Sequence, residues 1–77
     1  MALKKELERT IAILEEEIKE LEIKRSRSQA SLIDALISKI DPSEQEVQFF
    51  RTYTAEIEHK RAQLAKLTKK LDTLDNK

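Results

Sequence analysis

Apolar side chains in the first half of the chain recur at Leu7, Ile11, Leu14, Ile18 and Leu21, in alternating steps of four and three. Each such step returns the side chain to the same face of a helix, which is the a/d pattern of a heptad seam. The register continues through Arg25, Ser28, Leu32 and Ala35. In the second half Phe50, Ile57, Leu64 and Leu71 lie seven apart, and Val47, Tyr53, Leu67 and Leu74 widen the stripe. The pattern predicts an all-α chain of two long amphipathic helices.

Between them stands Asp41-Pro42-Ser43-Glu44. Proline disfavours helical geometry at the residue before it, which predicts that the first helix stops near Ile40. Asp41 is then the expected N-cap of the second helix, with Pro42 at its first helical position and Glu44 closing a capping box. The expected domain is a single unit over residues 1–77. Its first helix covers about residues 3–40, the turn about 41–43 and the second helix about 43–74. The competing reading is one long helix kinked at Pro42, since no glycine marks a helix C-terminus.

Charge favours a hairpin. Folded antiparallel, with facing residue numbers summing to about 83, the acidic block 13–23 (five Glu against Lys19) opposes the basic block 60–70. Net basic residues 24–40 oppose net acidic 43–59, and the weakly basic start opposes the weakly acidic end. One exposed ion pair is worth roughly 0–1 kcal/mol, but a complementary series selects orientation. The expected fold is an antiparallel two-helix coiled-coil hairpin, completed into a bundle by self-association or by a partner.

The seam is polar in places. Arg25 and Ser28 interrupt it in the first helix, and Thr54, Arg61 and Thr68 in the second. Facing positions put Ser28 near Thr54, Arg25 near Ile57 and Glu58, and Arg61 near Leu21 and Glu22. Such residues set register while their stems snorkel to water. Alternatively Arg25 and Arg61 project toward an acidic partner.

Near the turn the helices carry more apolar surface than one seam absorbs. With Leu32, Leu36, Val47 and Phe50 in the intramolecular seam, Ile33, Ile37 and Phe49 point outward, and Ile13 and Ile23 also lie off the seam. Exposed apolar patches mark interaction sites. The candidate protein interface is Ile33, Leu36, Ile37, Ile40, Phe49, Phe50 and Tyr53; the alternative is ordinary packing at the tip.

Composition narrows the function. Glycine and cysteine are absent and proline occurs once, which disfavours hairpin-rich β architecture, disulfides and thiolate metal sites. Fifteen Lys and Arg balance fifteen Asp and Glu, an argument against nucleic acid or an anionic membrane as main partner. No apolar run approaches a membrane span or a secretory signal, so the expected location is cytoplasmic. His59, the sole histidine, lies in a charged stretch, and Glu15-Glu16-Glu17 fan around a helix instead of converging. No catalytic, metal or cofactor site is expected, and no enzymatic activity.

The expected function is a small protein-binding or assembly module, an adaptor or chaperone-like subunit that binds a protein partner, itself, or both. A homodimeric four-helix bundle that binds RNA is the alternative, with Lys24, Arg25 and Arg27, or Lys60, Lys66, Lys69 and Lys70, as contact face. A third reading is a coiled-coil spacer; the polar run 72–77 reads as a helix end, which disfavours a fragment of something longer.

Overall fold

A computed structural model describes residues 2–75 and places two helices side by side: α1, Ala2–Ile37, and α2, Glu44–Asp75. They pack antiparallel along their length in an object 58 Å long and 16 by 14 Å across. The break at residues 38–43 therefore reverses the chain and is not a kink in one helix. Among the described residues there is no strand.

The end of α1 lies three residues before the expected Ile40, because its last turn closes on itself. The amide of Ile40 donates to the carbonyl of Ala35 at 2.9 Å, and that of Lys39 to Leu36 at 3.2 Å. With Lys39 at φ 58°, this is a Schellman cap built on lysine instead of glycine. The cap of α2 also differs from expectation. Ser43 Oγ accepts the Glu46 amide at 3.1 Å, and the Ser43 carbonyl accepts the amide of Val47. Ser43, not Asp41, is the N-cap, and Pro42 lies just outside the helix. The serine is better placed because Ser43-Glu44-Gln45-Glu46 itself has the S-x-x-E spacing.

The first-helix seam is as its spacing predicts. Leu7, Leu14, Ile18 and Leu21 are buried, and Ile11, Arg25, Ser28, Leu32 and Ala35 are half-buried. Ile57 is the best-covered side chain, at 0% exposure, and packs with Ile18 and Leu21 among flanking Tyr53 and Leu64. In α2 the inward positions run Phe50, Tyr53, Ile57, Lys60, Leu64, Leu67, Leu71 and Leu74. Arg61 and Thr68, expected in the seam, are exposed, and Lys60 takes the layer instead.

Ion pairs join two of the three pairs of blocks expected to oppose, Lys4 with Asp75 at 2.7 Å, Lys60 with Glu17 at 3.0 Å and Arg61 with Glu22 at 2.7 Å, and among the described residues none joins 24–40 to 43–59. The finer register differs. Residues that line common hollows, such as Ser31 with Glu46 and Thr10 with Leu67, place facing numbers at sums of about 77 instead of 83. That is an offset of about 9 Å at 1.5 Å per residue. Burying one Leu or Ile is worth about 1.5–3 kcal/mol and an exposed ion pair about 0–1. The apolar layers therefore set the register, and long charged side chains reach across the offset.

Candidate functional site

Among the described residues no group of three or more His, Cys, Asp or Glu side chains is placed to hold a metal ion, and His59 is exposed. No buried side-chain nitrogen or oxygen there lacks a hydrogen-bond partner. No helix is long and apolar enough to cross a membrane. Among its many exposed charged side chains the fold also leaves large apolar ones in solvent, Leu36, Ile37 and Ile40 most of all.

The residues of the expected interface fall into separate places. Ile33, Leu36 and Ile37 are spaced i, i+3 and i+4, so they share one face at the end of α1. Leu36 is 69% and Ile37 73% exposed. Leu36 thus lies outside the seam to which its spacing from Leu32 assigned it. The seam passes through Ala35 instead, and the register carries the last turn of α1 about one turn past the start of α2. Ile40, 64% exposed, follows the left-handed Lys39 and lines a hollow with Ala35 and Ser38. These four residues form an apolar end to the hairpin.

Phe49 belongs to a different surface. Its ring stacks on Tyr53, with centroids 6.4 Å apart and planes at 26°. Together they line a groove with Lys24, Arg27, Ser28 and Ser31. Ile33 lies two residues, or about 200°, around the helix from Ser31. Phe49 and Ile33 therefore occupy opposite flanks. Phe50 is half-buried in the seam, and half-buried Tyr53 packs against the Ile18–Leu21–Ile57 cluster.

The groove beside Phe49 continues along the hairpin. Thr10, Glu17, Lys24, Ser31 and Ser38, spaced seven apart, each line one of three hollows that follow one flank. The hollow nearest the chain ends is an open trough of about 550 Å³ floored by Ile13, Leu14 and Leu67. Ile13 is 54% exposed there.

The polar seam residues are mostly satisfied within the hairpin. Ser28 Oγ donates to the Glu46 carbonyl at 3.4 Å, not to Thr54, and Thr54 Oγ1 donates back to Phe50 in its own helix. Arg25 is half-buried in the seam. Arg61 is at the rim, donating to Glu22. Of the basic residues, Lys60 is held by Glu17. Lys66 and Lys70 line the trough with Ile13. Lys4 is raised above its ordinary pKa by its hydrogen bond to Asp75 and that carboxylate's charge.

Sequence reasoning missed two features, the lysine cap and the Lys60 layer. The first left no glycine to read. The second had a signal: position 60 lies seven after Tyr53 and seven before Leu67, in step with the seam. Comparison with protein-family models, with curated proteins and with solved structures finds no match for the chain.

Proposed function

We propose that the protein is a binding or assembly module, an adaptor or chaperone-like subunit, whose partner seats on the apolar turn end formed by Ile33, Leu36, Ile37 and Ile40. The observation that carries this reading is exposure. The chain presents 6256 Å² to solvent, whereas a compact 9.0 kDa protein presents about 4,900 Å². The surplus, roughly 1,400 Å², is spread along a hairpin 58 Å long, and at the turn end it is apolar, with Leu36 69%, Ile37 73% and Ile40 64% exposed.

The turn end suits a helix-in-groove or end-on contact. Its apolar side chains project from a well-formed last turn, so little further ordering opposes their burial. The register leaves Leu36 and Ile37 about one turn past the start of α2, and a partner would cover what α2 does not.

The test is a paired capture from the native host with the wild-type chain and the variant Ile33→Asp plus Ile37→Asp. Both positions are exposed, so circular dichroism should report unchanged helicity. Proteins that co-purify with wild type and are lost with the variant support the reading. The same set with both chains would overturn it.

A further inference from the structure

From the charge order along the flank that carries Ile13 and Phe49, we infer that this flank binds a second copy of the chain, in antiparallel orientation, to complete a four-helix bundle. The contact lies along a flank that meets the turn end only at the hollow lined by Ile40, and it does not depend on the function proposed for that end.

Charges on this flank alternate in blocks from the chain ends toward the turn. Lys66 and Lys70 line the trough beside Ile13. Next come Glu17, which lines the same trough and also carries the Lys60 ion pair, and Glu20, which shares the flank because it lies seven residues from the groove-lining Ile13 and Arg27. Lys24 and Arg27 follow, beside Phe49. Asp34 and Glu46 complete the series in the hollow at the turn. The order is basic, acidic, basic, acidic.

A sequence of that form is complementary to its own reverse. A two-fold axis perpendicular to the hairpin, between the second and third blocks, sets Glu17 and Glu20 of one copy against Lys24 and Arg27 of the other. The same operation brings Lys66 and Lys70 to Asp34 and Glu46. A side-by-side parallel pair would oppose each block to itself. The pattern therefore specifies orientation as well as partner. The axis falls near residue 21 of α1, close to the middle of the hairpin, so the two copies overlap over almost their whole length.

Apolar positions fit the same operation. Phe49 is level with about residue 28 of α1, and the axis carries it to the level of about residue 14 in the other copy. There it meets the trough floored by Ile13, Leu14 and Leu67. The ring is 48% exposed in the single hairpin and has no cover on that side from its own α1 beyond the groove wall. A flank along a hairpin 58 Å long offers room for an isologous contact of about 800 Å² per copy. A chain with zero net charge meets no overall repulsion from its copy.

Sedimentation equilibrium should return twice 9.0 kDa for the wild-type chain at micromolar concentration. Two charge-reversed variants, Lys24→Glu and Glu20→Lys, should each weaken the dimer at least tenfold, and an equimolar mixture should restore it. A nitroxide on Leu36→Cys, exposed on the Ile33 face and so off this flank, reads orientation in a chain with no other cysteine. The antiparallel pair places the two labels about 45 Å apart at 1.5 Å per residue. A 9.0 kDa mass throughout, a dimer indifferent to both reversals, or labels within about 20 Å of each other would overturn the inference.

Discussion

The ammonium of Lys60 lies 3.0 Å from the carboxylate of Glu17, in a seam position otherwise continued by Ile57, Leu64 and Leu67. The pair is partly covered, with the lysine side chain 25% and the glutamate 43% exposed. Solvent screening keeps such a pair near the surface value of about 0–1 kcal/mol. Apolar replacement of a partly buried pair is often neutral or stabilising. Lys60→Leu should therefore raise stability to urea by about 1 kcal/mol through added apolar burial. Equilibrium unfolding measures it; a lower midpoint would show that the ion pair holds the layer together.

Lys39 holds a positive φ that glycine adopts without a Cβ clash. The left-handed conformation costs a non-glycine residue about 1–2 kcal/mol, partly offset by glycine's greater freedom in the unfolded chain. Lys39→Gly should stabilise the hairpin by about 0.5–1 kcal/mol, and Lys39→Val should destabilise it. Thermal melts of the two variants check the sign of each change.

Two candidate caps precede α2, and only Ser43 is hydrogen-bonded to the first turn among the described residues. Ser43→Ala should destabilise by about 1 kcal/mol, as N-cap deletions do. Asp41→Ala should change stability by less than about 0.5 kcal/mol, the usual range for a surface site. Chemical denaturation of both variants distinguishes them, and equal losses would contradict the assignment.

The Lys4–Asp75 contact closes the end of the hairpin opposite the turn, and it raises the lysine pKa. A cationic group with a raised folded-state pKa contributes stability fully below its unfolded value of 10.5, and that contribution is lost as pH rises through the folded value. Asp75→Asn should return the Lys4 titration toward 10.5, observable in the side-chain NMR signals. Unchanged titration would mean that another group holds the lysine.

Much of the fold was legible in the sequence because heptad spacing is a direct record of which face is buried. Leu7, Leu14, Ile18 and Leu21 all lie where their steps of four and three place them. Opposed charge blocks also gave the antiparallel orientation, through the three ion pairs that form. They could not give the register, because lysine and arginine stems span an offset of more than a helical turn at little energetic loss. Arg61 reaches Glu22 in this way. The seam of α2 was misread at Arg61 because two arginine- and lysine-bearing positions adjoin, and only the cross-helix packing around Ile57 decides between them. The turn-end residues were legible as an apolar surplus. Their division between two flanks was not, since it follows from the cross-helix register that sets Phe49 beside Lys24 and Ser31, about 200° around α1 from Ile33.

A protein-binding turn end is tested most directly by photo-crosslinking in living cells. A benzoylphenylalanine at Ile37, on the apolar end, should form covalent adducts with a protein partner. The same group at Glu16, exposed midway along α1, serves as the comparison. Adducts from position 37 that are missing at position 16 are the predicted result; none at position 37, or the same products from both positions, would contradict a binding role for this surface.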